Sequence, residues 1–178
     1  PLLARMGEAT VSLPGGCTIG SRPIDLHLEG FKAMGATITL EDGYVKAVAP
    51  AGGLRGATIL FPKVSVGATE NLMMAATLAK GETVLMNAAR EPEIIDQGEA
   101  LIKMGAKIRG LGTAEIRIEG VPSLHGMNHD VLPDRIETGT FMIGVALTGG
   151  TVTLKHTRTD FLTSLIGPLQ KTGVTIDN

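Results

Sequence analysis

Apolar positions recur at helical spacing near residues 24–34, 68–80, 91–104, 137–148 and 159–172. Near 8–13, 36–41, 44–49, 56–61, 83–87, 106–110 and 114–119 they alternate with polar ones, and β-branched residues are frequent. The first set predicts helices and the second predicts strands, so the fold class is mixed α/β (α+β). The 68–80 segment is apolar nearly all round (Leu72, Met73, Met74, Ala75, Ala76, Leu78, Ala79), which predicts a helix inside the domain with its methionines in the core. Glu41-Asp42-Gly43-Tyr44 carries the Asp-Gly signature of a tight hairpin.

The pattern repeats. Gly30-Phe31-Lys32-Ala33-Met34-Gly35-Ala36-Thr37-Ile38 returns as Ala100-Leu101-Ile102-Lys103-Met104-Gly105-Ala106-Lys107-Ile108, and more loosely as Pro168-Leu169-Gln170-Lys171-Thr172-Gly173-Val174-Thr175-Ile176. The shared glycines lie 70 and then 68 residues apart. Each phrase reads as the end of an amphipathic helix, a glycine cap and a strand. A second phrase, Ala76 to Val84, returns as Val145 to Val152, with an earlier copy at Leu2 to Val11. Two phrases in one order argue for duplication of a helix-strand-loop-helix-strand-strand unit. Residues 122–129 are polar, turn-rich and aperiodic, which makes them the best boundary candidate. Residues 1–6 read as the tail of a helix and 175–178 as part of a strand, so the sequence is expected to be an excerpt of a longer protein.

Composition narrows the classes. With 43% hydrophobic and 19% charged residues the chain can bury a core. A net charge of −2 and 3% aromatic residues give no case for nucleic acid. No apolar run approaches the ~20 residues that span a bilayer, and no stretch reads as a secretory leader. The expected compartment is therefore the cytoplasm, with no membrane partner.

Four loops carry unusual chemistry. The first holds Cys17, the only cysteine, after Gly15-Gly16 and ahead of Arg22-Pro23-Ile24-Asp25-Leu26-His27. A thiol near a guanidinium can be a stabilised nucleophile or acid, while the rival reading is a small buried hydrophobe. Arg22 at a helix start suits an anionic ligand; alternatively Asp25 only caps the helix and Arg22 is solvated. The second loop, Lys63-Val64-Ser65-Val66-Gly67-Ala68-Thr69, offers a lysine, a hydroxyl and free amides at a helix N-terminus, as a phosphate cradle would. Ser65 is equally read there as a plain N-cap. The third, around Glu91-Pro92-Glu93, is ordinary helix-initiation chemistry by spacing. The fourth packs Asp134, Arg135 and Glu137 before another small-residue helix, at the place in its unit that Lys63–Thr69 occupies in the preceding one. No residue pattern supports a metal site, and His27 and His156 read as structural.

These four loops, in this order, resemble those of the bacterial UDP-N-acetylglucosamine 1-carboxyvinyltransferases, and the resemblance covers essentially all 178 residues. It implies an inside-out α/β barrel of the enolpyruvyl transferase type. Residues 1–121 would form most of one domain, 122–135 the crossover, and 136–178 the start of a second. The implied reaction moves the enolpyruvyl group of phosphoenolpyruvate to the 3-hydroxyl of UDP-N-acetylglucosamine, releasing phosphate, as the first committed step of peptidoglycan synthesis. By the same resemblance Cys17 is the acid toward phosphoenolpyruvate, the site of a covalent adduct and the target of fosfomycin. Arg22, Pro23, Ile24, Asp25 and Leu26 match the first nucleotide-binding stretch, with Arg22 also serving phosphate. Lys63, Val64, Ser65, Val66 and Gly67 match the second. Glu91, Asp134, Arg135 and Glu137 match charged residues of the cleft or hinge. No resident cofactor or metal is implied, since phosphoenolpyruvate is a co-substrate. The family's lysine–asparagine pair and a further arginine would lie before Pro1 and its catalytic aspartate beyond Asn178, so the chain alone is expected to be inactive. Two other readings are a 3-phosphoshikimate enolpyruvyl transferase, which shares the repeat but lacks the Pro-Gly-Gly-Cys loop, and a non-catalytic module that keeps the repeat.

Overall fold

The computed structural model describes residues 1–16, 20 and 22–177. It divides into two compact units, one from Pro1 to His129 and one beginning at Asp130.

The first unit holds α1 (Leu2–Met6), β1 (Glu8–Ser12), α2 (Asp25–Ala33), β2 (Thr37–Glu41), β3 (Tyr44–Val48), β4 (Thr58–Leu60), α3 (Val66–Ala76), β5 (Glu82–Met86), α4 (Pro92–Lys103), β6 (Lys107–Arg109) and β7 (Glu115–Glu119). The duplication read from the phrases is present in the sheets. One sheet has the antiparallel order β1-β3-β2; the other has β5-β7-β6 in the same sense, extended by β4 parallel to β5. Registers correspond as well: Val48 pairs with Glu8 and Thr37, as Glu119 pairs with Glu82 and Lys107. Even the closing bonds match, Ala49 N–H to Gly7 O and Gly120 N–H to Gly81 O. Among the described residues these are two open sheets and no closed barrel.

The repeated glycines cap helices as expected. Gly35, Gly105 and Gly173 have φ of +89°, +99° and +95°, a region that costs other residues strain. Each is followed by a bond back across the cap: Ala36 N–H to Phe31 O, Ala106 N–H to Leu101 O and Val174 N–H to Leu169 O.

Helix α3 is the interior helix. Ala68, Thr69, Leu72, Met73, Ala75 and Ala76 are buried among Phe61, Met34, Leu54, Leu85, Ile94, Ile116 and Ile118. It starts two residues before the expected 68 because Ser65 caps it, accepting from Ala68 N–H at 3.3 Å. It ends at Ala76 rather than 80 because the chain tightens into three-residue bonds, Leu78 N–H to Ala75 O and Ala79 N–H to Ala76 O, before Gly81 turns left-handed.

The second unit holds α5 (Arg135–Thr148), a single 3-10 turn (Thr159–Phe161) and α6 (Thr163–Lys171). The continuous helix expected over 159–172 is therefore broken at Leu162, whose φ of −118° is not helical. Arg158 explains the extra turn: it forks onto Asp160 at 2.6 and 3.1 Å and lies over the Phe161 ring. The strand expected after Gly173 is not formed among the described residues, because alternation alone supplies no ladder partner. No helix of the described residues is long and apolar enough to cross a membrane.

Candidate functional site

Helices α2 and α3 pack so that successive contacts advance along both in the same sense. His27 meets Gly67 and Asn71, and Gly30 meets Leu72. Their N-termini therefore lie at the same end of the first unit. Between them opens a cleft of about 480 Å³ lined by Pro14, Arg22, Pro23, Ile24, Asp25, Leu26, His27, Lys63, Val64 and Ser65. Two stretches some 40 residues apart in sequence thus meet at one surface, which is what a shared ligand requires.

The electrostatics favour an anion. Arg22 and Lys63 bring two cations against the single carboxylate of Asp25, and both are exposed enough to move onto a ligand. The first turn of an α-helix leaves its N–H groups without intrahelical acceptors, so Val66 and Gly67 present donors beside the cleft, as does the start of α2. Ser65 caps α3 and also lines the cleft. Asp25 is not the cap of α2; it is the first helical residue, and Ile24 precedes it without a capping side chain.

The floor is held from behind. Thr69 donates its hydroxyl proton to Ser65 O at 2.7 Å and accepts from Ala89 N–H at 3.1 Å, which ties the Lys63–Ser65 turn to the strand-to-helix connection before α4. Asn71 lies 3.0 Å from His27 Nδ1. Burial pushes the His27 imidazole below its ordinary range, with the Asp25 carboxylate opposing, so the ring is neutral near pH 7.

Cys17 lies outside the described residues. Val66 and Gly67 follow the cleft lining as the first turn of α3. Glu91 is the residue before α4 and accepts from Arg90 N–H at 2.9 Å; it is not among the residues that line the cleft. Asp134 caps α5, accepting from Ile136 and Glu137 N–H at 2.8 and 3.0 Å, and Arg135 and Glu137 lie in that first turn in the second unit. Pattern reading missed His27, which lines the cleft, and Asn71, which holds it.

The model of the family described as EPSP synthase (3-phosphoshikimate 1-carboxyvinyltransferase) matches residues 1–178. The chain belongs to this family. Within the EPSP synthase family, relatives named UDP-N-acetylglucosamine 1-carboxyvinyltransferase are similar at high identity. That of Azorhizobium caulinodans is 62% identical over 99% of this chain, that of Rhodospirillum centenum 64% over 93%, and that of Agrobacterium fabrum 58% over 100%. The chain spans 41%, 38% and 41% of their lengths. Among solved structures, the EPSP synthase of Acinetobacter baumannii is similar with a TM-score of 0.69 and 27% identity, over 99% of this chain and 40% of that one. The enolpyruvyl transferase NikO of Streptomyces tendae follows with 0.66 and 26%, over 79% and 34%. The fold of the chain is thus similar to part of each of these enolpyruvyl transferases.

Proposed function

We propose that this chain is part of an enzyme that transfers the enolpyruvyl group of phosphoenolpyruvate to the 3-hydroxyl of UDP-N-acetylglucosamine with release of phosphate. The supporting observation is the 58–64% identity to relatives of that name, against 26–27% to the 3-phosphoshikimate and NikO-type structures. The cleft fits the substrate class. A nucleotide diphosphate sugar brings an anionic centre and a flat base; Arg22, Lys63 and the α3 amides address the first, and Pro23, Ile24 and Leu26 offer apolar surface to the second.

The reaction protonates the vinyl carbon of phosphoenolpyruvate while the sugar hydroxyl gives up its proton and its oxygen attaches to the neighbouring carbon; phosphate then leaves that carbon and a proton leaves the new methyl group, which restores the double bond. In this reading Cys17 is the proton donor and the site of a covalent adduct, and Arg22 stabilises the departing phosphate. Phosphoenolpyruvate is a co-substrate, so no resident cofactor is called for. The enzyme works in the cytoplasm, and fosfomycin inhibits it by alkylating Cys17. Glu91, which is not among the residues lining the α2–α3 cleft, and Asp134, Arg135 and Glu137 of the second unit are read from the family resemblance as charged residues of the whole enzyme's cleft or hinge.

The test is mass spectrometry of a full-length enzyme carrying this sequence, incubated with fosfomycin and UDP-N-acetylglucosamine. The reading expects one adduct, on Cys17, formed faster with the nucleotide present. An unmodified Cys17 counts against it.

A further inference from the structure

The last residue of the first unit, His129, is fastened to that unit by its side chain, and the reaction written above gives it no part. We propose that residues 121–129 form a strap latched onto α4 by His129, which confines bending of the connection between the two units to Asp130–Pro133. This does not depend on the transferase reading.

The path of the strap follows from its contacts. After β7, Val121 N–H donates to Thr77 O at 2.8 Å and Leu124 packs against the core. His125 N–H then donates to Met104 O at 3.0 Å, at the C-terminal end of α4. The His125 ring lies over the following residue of that end, where a β-carbon at Gly105 would come 3.2 Å from Nε2. Four residues later, His129 meets Asp96 in the first half of α4. Met104 and Asp96 are eight positions apart. That is about 12 Å of helix rise, and four extended residues reach about 13–14 Å. The strap therefore runs back along α4 towards its N-terminal end.

Gly126, Met127, Asn128, Asp130 and Val131 are exposed, and within this stretch His129 alone turns inward. Its side chain is 6% exposed and that of Asp96 13%. One helix engages both ring nitrogens. Lys103 lies about two turns beyond Asp96 on the same face of α4, and long helical side chains lean towards the N-terminus, so its ammonium reaches back to the ring. An ammonium only donates, so Nδ1 accepts at 3.1 Å, and the ring gives its Nε2 proton to Asp96 Oδ1 at 2.9 Å. Withdrawing the ring would strand a nearly buried carboxylate without its donor, which keeps the latch closed.

Beyond His129 this anchorage stops. Asp130 to Pro133 belong to no helix or strand, and Val131 is 78% exposed. The next fixed point is Asp134, whose carboxylate accepts from Ile136 and Glu137 N–H at the start of α5. The boundary of the first unit falls at the latch itself. Pro133 further narrows the bend by fixing its own φ and biasing Leu132 to extended backbone. Releasing His129 would free the chain back to Gly126, doubling the unlatched length from 130–133 to 126–133.

The experiment is limited proteolysis with thermolysin, together with hydrogen exchange resolved to single amides, on a full-length enzyme carrying this sequence. Wild type should resist cleavage within 126–131. His129→Ala should be cut there at least about 10-fold faster, and its His125 amide should exchange about 10- to 100-fold faster. The amides of Val121 and Ala106, bonded to Thr77 O and Leu101 O, should keep wild-type rates in that variant. His129→Gln, whose side-chain N–H can still meet Asp96, should stay near wild type in both readouts. Exchange that quickens at His125, Val121 and Ala106 together assigns His129 a general stabilising role and overturns the proposal. Wild-type cleavage and exchange in His129→Ala overturn it too, as does a wild-type enzyme already cut readily within 126–129. Each of these results leaves the transferase reading intact.

Discussion

Gly30 of α2 passes so close to Leu72 of α3 that a β-carbon on the glycine would lie 2.2 Å from Leu72 Cδ1. Leu72 is fully buried and has nowhere to go. This contact sets the spacing of the two helices whose first turns frame the cleft. Gly30→Ala should lower stability by about 1–3 kcal/mol through overpacking, although alanine's better helix propensity returns up to about 1. Leu72→Ala should cost about 2–5 alone. The double variant should be clearly more stable than the sum of the two losses, as read from urea midpoints in a double-mutant cycle. Simple additivity would show that the contact does not set the helix spacing.

His129 at the end of the first unit is pinned to α4. Its Nε2 lies 2.9 Å from Asp96 Oδ1, with the side chains 6% and 13% exposed, and Lys103 Nζ donates to Nδ1 at 3.1 Å. His129→Ala strips a nearly buried carboxylate of its partner and should cost about 1–3 kcal/mol. Asp96→Asn, which keeps an acceptor, should cost less. Thermal denaturation of the two variants checks the order.

Glu70 on α3 is held above the usual carboxylate range, first by burial and then by the charges of Glu93 and Glu91. Its folded form binds the proton more tightly than the unfolded chain, which titrates near 4.3. Stability therefore falls as pH rises from the unfolded value through the folded one, and stays lowered above it. Glu70→Gln should remove that decline and be the more stable protein at neutral pH. Urea midpoints across about pH 4 to 7 read the difference.

Arg22 and Lys63 face the same cleft from separate stretches. Arg22→Ala in the full-length enzyme should weaken UDP-N-acetylglucosamine binding about 10- to 100-fold, and Arg22→Lys should recover little, because a point charge does not replace a planar fork. Lys63→Ala should lose less and make binding less sensitive to salt. Calorimetric titration at two ionic strengths separates them.

Local rules made much of this fold legible. The nearly all-round apolar run at 68–80 identified the interior helix, and the recurring glycines marked caps that all adopt the same left-handed turn. Misreadings came where tertiary geometry decides. Leu162 breaks a pattern that is periodic in sequence, because the Arg158–Asp160 fork winds the preceding residues into their own turn. Residues 174–177 alternate like a strand, but a strand exists only with a partner. At the site, Arg22–Leu26 and Lys63–Ser65, expected from the family resemblance, line one cleft. Spacing alone does not show the pairing of His27 with Asn71, 44 residues away.

The central claim is the acceptor. A full-length enzyme carrying this sequence should release phosphate from phosphoenolpyruvate when UDP-N-acetylglucosamine is added, and should not when 3-phosphoshikimate is added instead. The measurement is phosphate release with each acceptor in turn. Turnover with 3-phosphoshikimate and none with the UDP-sugar would contradict the account.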